Sequence, residues 1–266
     1  MNFFSRTNIR IDHLAFSLLV ALLPSQLGYH TWPDAAFVLG RRIDYLSPTL
    51  FVTDIVFLFV MVSFLIFKII HRDVRPFRYP SGYGRMILIA IVISCAFIGI
   101  NISVSPIPLI TAIAWLRVFQ GIGIVWYMAS SNISMHMIVV PLTIALLYSS
   151  FLGIIQWFVQ SSIGGIFWWL GERTFDLHTP GIAKLSFCLP SPITDIRSMS
   201  VSSSVCPYLM RPYATFPHPN VLGGFLATTL PLMWYARRFP TLEHMYIRMG
   251  TLVTMCTGVA ALFLTF

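Results

Sequence analysis

Charge is what this sequence has least of. Only 10% of its 266 residues are Asp, Glu, Lys or Arg, against 57% hydrophobic, whereas a soluble domain carries roughly a quarter charged residues. That excludes an ordinary soluble chain and leaves a polytopic membrane protein, much of whose apolar surface faces lipid. Acidic residues are scarcer than basic ones, 9 against 17, for a net charge of +8. In a membrane chain basic residues report topology first, so this excess does not call for nucleic acid as a partner. The four cysteines are scattered with no C-x-x-C or other metal-ligand spacing, which removes a zinc or cluster framework. Cys95 and Cys256 lie in apolar runs and are expected to be inert core residues. Cys188 and Cys206 share one polar loop and can pair if that loop faces an oxidising compartment. There is no Walker loop, dinucleotide glycine fingerprint, H-E-x-x-H or G-x-S-x-G, so nucleotide, zinc-protease and serine-hydrolase chemistries have no motif here. No metal and no cofactor is expected.

What the chain does have is long apolar runs. Residues 14–23 (extended to about 27), 50–70, 86–104, 109–128, 135–159, 221–235 and 247–266 each read as a spanning helix. The expected fold is therefore all-α, a transmembrane bundle of about seven spans. Pro141 and Pro231 fall inside the fifth and sixth runs and are expected to bend them. Residues 28–48 read as a loop with interfacial Tyr29, His30, Trp32 and Tyr45. Residues 160–217 form the one long polar stretch, with a serine-rich tip at 198–204. Lys/Arg asymmetry sets the topology. With the N-terminus cytoplasmic, Arg6, Arg10, the cluster from Lys68 to Arg85, and Arg237, Arg238 and Arg248 lie inside. Arg41, Arg42, Arg173, Lys184, Arg197 and Arg211 then lie outside. The organisation expected is five helices in 1–159, an outer-face loop with an interfacial helix in 160–217, and two further spans in 218–266. The chain has no solenoid-length repeat.

Chemistry concentrates at Arg211-Pro212-Tyr213-Ala214-Thr215-Phe216-Pro217-His218-Pro219-Asn220, immediately before an apolar helix. A guanidinium binds phosphate oxygens in bidentate fashion and stays charged near lipid; the bland alternative for Arg211 is an interfacial snorkelling arginine. His218 stands at a helix mouth, where a histidine is more often a structural hydrogen-bonder than a base. Asn220 suits the N-cap of the sixth helix, whose dipole would still favour an anion. Arg117 falls inside the fourth span, where a charge is a functional hypothesis by default. Its partner is either Asp54, in a structural pair between helices, or a ligand anion. Trp168-Trp169 suit the headgroup level, and Glu172 and Arg173 beside them read as an exposed ion pair or as the lining of a lipid-headgroup site. Gly121 and Gly123 read as helix-packing glycines rather than a nucleotide loop.

The stretch from Arg211 through Val221-Leu222-Gly223-Gly224 resembles the Arg…Gly-Thr-Phe-x-x-Pro-Asn signature of the O-antigen ligase and polymerase family. Gln156-Trp157 to Gly171-Glu172-Arg173, with Thr179-Pro180-Gly181-Ile182-Ala183, is similar to the outer loop preceding that signature. Pro24 to Pro33 and Asp44 to Leu50 are also similar to stretches of members from some bacterial lineages. Ala214 stands where the family usually has glycine. The resemblance implies a multi-pass protein of the bacterial plasma membrane that handles a glycan on undecaprenyl diphosphate, without a metal. Its partners would be the bilayer and that polyprenyl-diphosphate-linked glycan. Arg211, His218 and Asn220 would contact the diphosphate, with Arg117 and Arg173 as additional candidates. Members continue through further spans and a second outer loop that carries a catalytic histidine. The resemblance thus implies that Thr265-Phe266 is a break in mid-protein, that no catalytic residue is assigned in this chain, and that the isolated chain shows no transferase turnover. The competing readings are a transporter or lipid-linked glycan flippase, lined by Arg117, Asp54 and Pro141, and a non-catalytic truncated membrane protein. A transporter would want an inverted repeat or paired broken helices, and neither is visible.

Overall fold

The structure is a computed structural model, and it describes residues 10–43, 46–71, 84–186, 208–236 and 245–266. Outside the described residues lie the Cys188–Cys206 question, the serine-rich stretch 198–204, Asp44 and Tyr45, and Arg6, Arg72, Arg75, Arg78, Arg197, Arg237 and Arg238. Seven α-helices are described: α1 (Ile11–Ala21), α2 (Val52–Ile70), α3 (Gly84–Val104), α4 (Pro108–Ser130), α5 (His136–Val159), α6 (Pro219–Ala236) and α7 (Met245–Leu264). Each coincides with an apolar run of the sequence. Among the described residues α2, α4 and α5 are long and apolar enough to cross a membrane, and shorter apolar stretches occupy Ile11–Ala21, Leu88–Val104 and Met249–Leu264. The chain is therefore mostly helical, with the composition of a membrane protein.

The all-α expectation needs one correction. Among the described residues three small antiparallel two-stranded sheets lie between the helices. β1 (Gly28–His30) pairs with β4 (Thr49–Phe51), β2 (Phe37–Val38) with β3 (Arg41–Arg42), and β5 (Lys184–Ser186) with β6 (Tyr208–Met210). Residues 28–48 are thus not a plain loop. β2 and β3 are joined by Leu39 and Gly40, both at positive φ (51° and 74°), which is the two-residue turn that matches strand twist. Strands of two or three residues are too short to show alternation, so periodicity could not reveal them.

The chain divides into two compact units, Met1–Phe16 with Gly28–Ser134, and Ser17–Leu27 with Met135–Phe266. In the first, α2 and α4 share an aromatic core. Phe64 meets Trp126 and Tyr127 edge-on at 5.3 and 5.1 Å, and Phe16 lies 5.2 Å from Tyr127. Gly123 lets α4 approach α2, since a Cβ there would fall 2.9 Å from Phe57; this agrees with its reading as a packing glycine, whereas Gly121 faces open space. Asp12, only 2% exposed, takes the Arg10 guanidinium through Nε and Nη2 (3.1 and 2.7 Å) and the Tyr127 hydroxyl (3.1 Å). Buried Asp is rare unless paired in this way.

In the second unit α7 packs against both α5 and α6. Leu146, Leu152, Leu222, Leu226 and Met233 are fully buried there. Gly153 brings α5 close to Leu222 and Pro212, and Gly258 seats Leu230 of α6 against α7. Both α5 and α6 run through their internal prolines, Pro141 and Pro231. Cys95 and Cys256 are exposed rather than core: they sit on the outward faces of α3 and α7, where an apolar neighbourhood in sequence means contact with the surroundings, not burial.

Candidate functional site

The conspicuous stretch of the sequence is built into the second unit from its backbone outward. β6 leads into Arg211, whose N–H donates to the Ala183 carbonyl at 3.1 Å. Residues Pro212 to Phe216 are then buried, which requires partners for their polar backbone. Gln156, at 0% exposure in α5, provides them. Its Oε1 accepts from the N–H groups of Tyr213 (3.0 Å) and Ala214 (2.7 Å), and its Nε2 donates to the Ala214 carbonyl (3.1 Å) and to Glu172 (2.8 Å).

Glu172 completes the network. It is 4% exposed and also accepts from the N–H groups of Ile163 and Gly164, at 2.8 and 2.7 Å. The expected exposed ion pair is corrected accordingly: Glu172 is a buried acceptor that folds the loop after α5, because several donors converge on it. The interfacial segment is a 3-10 helix, Gly165–Leu170, rather than an α-helix, and Trp168 and Trp169 are exposed on it. Gly171 ends it at φ +92° and lies against the backbone of Gln26 and Leu27. From that same N-terminal segment the Pro24 carbonyl accepts the Thr215 hydroxyl at 2.5 Å. Further along the loop, Asp176 accepts from the His178 N–H and the Thr179 hydroxyl, both 2.9 Å. The Thr179 hydrogen bond, then that from the His178 backbone, holds its carboxyl below the ordinary range. This is a turn of the Asx type and accounts for the polar residues at 176–179 without a ligand.

Ala214 has φ +51°, a left-handed conformation that costs an L-residue about 1–2 kcal/mol. Its methyl is buried, at 1% exposure, which returns about 0.8 kcal/mol. Ala214→Gly is therefore expected to leave the thermal unfolding midpoint unchanged or raised. Ala214→Val, β-branched at the same φ, is expected to cost about 2 kcal/mol or more. Melting both variants in detergent decides the matter; a Gly variant clearly below wild type would show that the methyl, not the backbone, governs this position.

Beyond Phe216, Pro217, His218 and Asn220 are exposed, while Pro219 is buried. His218 caps α6: its carbonyl accepts from Val221 and Leu222, and its Nδ1 accepts from the Asn220 N–H at 3.1 Å. Asn220 is consequently the second residue of the helix, not its N-cap. Pro219 takes the first position, where a missing N–H costs nothing, and that shifts the cap one residue earlier than Asn220 would require. An Nδ1 that accepts leaves the ring proton on Nε2. The Asn220 side-chain oxygen accepts from Arg211 Nη2 at 2.8 Å. Arg211 also donates to the Thr265 carbonyl just past α7, through Nε at 2.8 Å and through Nη2. A cation near the end of α7 suits that helix's dipole.

Three of the predicted site residues thus form one chain of contacts, Arg211 to Asn220 to His218. Among the described residues no carboxylate pairs with Arg211, and its Nη1 has no hydrogen-bond partner. Arg173 is exposed. The helix N–H groups at Asn220, Val221 and Leu222 are all engaged by His218, so an anion here would meet side chains rather than bare backbone. Glu172 was read in sequence as surface, and the role of Gln156 in holding residues 213 and 214 was missed; the available signal was a glutamine inside an apolar run.

Arg117 belongs to the first unit and has an opposite arrangement. It pairs with Asp54 through Nη1, donates to Gln120 Oε1 at 3.3 Å, and reaches the Thr49 carbonyl through Nη2 at 2.9 Å. Gln120 Nε2 also donates to Asp54 Oδ1 at 3.1 Å, and Asp54 Oδ2 accepts the Phe51 N–H at 2.8 Å, closing the start of α2. Of the two alternatives for Arg117, the pair between helices is the one formed. Compared with protein-family models, curated proteins and solved structures, the chain matches none, so the chemistry of these sites rests on their own geometry.

Proposed function

We propose that this chain is an O-antigen ligase-like protein of the bacterial plasma membrane, which handles a glycan carried on undecaprenyl diphosphate. The observation that carries the reading is Arg211: a guanidinium held by a neutral carbonyl and a neutral amide, with neither a carboxylate to offset it nor a partner for Nη1 among the described residues. Asn220 and His218 add N–H donors on an exposed edge. That set recognises a phosphate or diphosphate. The left-handed backbone at Ala214 supports the resemblance as well, since the family's glycine is the residue that conformation favours. With about seven spans and a cytoplasmic N-terminus, the site lies at the outer face, where α5 ends and α6 begins.

In the reaction so implied, an acceptor hydroxyl attacks the anomeric carbon of the lipid-linked glycan. The bond from that carbon to the diphosphate oxygen breaks, and undecaprenyl diphosphate departs with the electron pair. The acceptor is a lipid or a sugar. Negative charge grows on the diphosphate as it leaves, and Arg211 stabilises it there through charge-assisted hydrogen bonds. The group that receives the hydroxyl proton is not assigned among these residues.

Binding tests this directly. In nanodiscs, wild type is expected to bind undecaprenyl diphosphate and not undecaprenol. Arg211→Ala should weaken diphosphate binding by roughly tenfold or more, while Arg211→Lys retains part of it. Equal affinity of wild type and Arg211→Ala, with both proteins folded, would leave Arg211 as a structural anchor of α7 and sink the reading.

A further inference from the structure

A groove of about 270 Å3 opens in the first unit between the β1–β4 sheet and the helices α2 and α4. Leu50, Ile113 and Leu116 form apolar walls, and Asp54, Arg117 and Gln120 form a polar floor. Leu50 and Leu116 are each 56% exposed, so the walls continue onto the outer surface of a chain whose α2 and α4 have the length and composition of membrane spans. Such a cleft fits an amphiphile, with hydrocarbon on the leucines and a headgroup on the floor.

The floor decides which headgroup. Arg117 and Asp54 stand side by side as a neutral pair, with their side chains 33% and 11% exposed. Five N–H bonds belong to a guanidinium. Nη1 serves Asp54 and Gln120, and one hydrogen of Nη2 serves Thr49. Nε–H and the second Nη2 hydrogen have no partner among the described residues. Asp54 likewise keeps acceptor capacity, since among the described residues Oδ2 receives only the Phe51 N–H. A singly anionic headgroup at Arg117 would face the Asp54 carboxylate, and a cationic one at Asp54 would face the guanidinium. Both are opposed by the like charge of the adjoining member of the pair. A headgroup with a phosphate and an ammonium on a two-carbon bridge lays one charge against each member of the pair, and its ammonium supplies N–H donors for Asp54.

We propose that this groove binds one phospholipid with a zwitterionic phosphoethanolamine headgroup, its phosphate on Arg117, its ammonium on Asp54 and an acyl chain along Leu50, Ile113 and Leu116. The proposal stands apart from the glycan reading, which rests on the second unit. Native mass spectrometry of the detergent-solubilised chain, titrated with phosphatidylethanolamine, phosphatidylglycerol and diacylglycerol of identical acyl chains, tests it. Phosphatidylethanolamine is expected to bind roughly tenfold tighter than either competitor, as two charge-assisted contacts allow. Asp54→Asn leaves a net cation and is expected to invert the order in favour of phosphatidylglycerol. Leu116→Trp fills the groove while keeping the ion pair, and is expected to abolish the preference even if Asp54→Asn fails to fold. Equal binding of the three lipids, tighter binding of phosphatidylglycerol by the wild type, or a preference that survives Leu116→Trp would each overturn the assignment.

Discussion

Gln156→Leu is expected to cost about 3–5 kcal/mol, the largest loss from any substitution in the second unit that leaves side-chain volume nearly unchanged. The leucine keeps the packing but removes every partner that Gln156 supplies. The N–H groups of Tyr213 and Ala214, the Ala214 carbonyl and one arm of Glu172 would all be left buried. Each unsatisfied buried group costs about 1–3 kcal/mol. Solvent does not reach Gln156, at 0% exposure, so water cannot substitute without opening the loop. Thermal unfolding in detergent should show a much lower midpoint, and Arg211 should lose its fixed place together with the residues after it.

A double-mutant cycle isolates the link to Glu172. Gln156→Glu alone sets two carboxylates against each other at the 2.8 Å contact and is expected to be nearly as damaging. In Gln156→Glu combined with Glu172→Gln, the new carboxylate still accepts from residues 213 and 214, and the new amide donates to it. Part of the stability should return, but not all, because the Ala214 carbonyl has lost its donor and an amide at 172 offers one acceptor oxygen to the Ile163 and Gly164 N–H groups. If the double variant is no better than the sum of the singles, the two side chains are not coupled as the geometry requires.

The second large effect belongs to Gly171→Ala. A Cβ at this position would overlap the Leu27 nitrogen and lie 2.5 Å from the Gln26 carbonyl carbon, at a backbone φ of +92°. Positive φ alone costs about 1–2 kcal/mol for alanine. The overlap adds to this, because the neighbour is main chain and cannot rotate away. Residues 24–27 would have to move, and the Thr215–Pro24 hydrogen bond would go with them. A total above about 3 kcal/mol is expected. Gly181→Ala is the control: φ is also positive, at +81°, but nothing lies within 4 Å of the added carbon. It should show the conformational cost alone. Equal melting temperatures for the two variants would mean that the 24–27 segment yields freely.

Both predictions concern residues that the sequence did not single out for this role. Gln156 and Glu172 were visible as polar residues near a glycine-rich turn, yet the partners of Gln156 are 57 and 58 positions away for Tyr213 and Ala214. Nothing local in the sequence reports such a separation. The same applies to Asp12, whose hydroxyl partner Tyr127 is 115 residues distant. The helix starts were legible where proline marks them, as at Pro108 of α4. The cap of α6 was misread because Asn is the commoner capping residue, while Pro219 at the first helical position assigns the cap to His218.

The sequence by itself determined the helices and the membrane character. Apolar runs of about 20 residues, bounded by proline, glycine and charge, leave a chain few other ways to satisfy its backbone. It also determined that Arg211, His218 and Asn220 would be neighbours, because they are close in the chain and a stiff proline-rich segment keeps them so. Only the tertiary structure decided what each cation faces. Arg117 meets the Asp54 carboxylate across 63 residues, while Arg211 meets the neutral Thr265 carbonyl across 54. The physical reason is that an electrostatic environment is set by whichever groups packing brings within a few ångströms, and packing between helices depends on the shape of whole faces rather than on any one stretch.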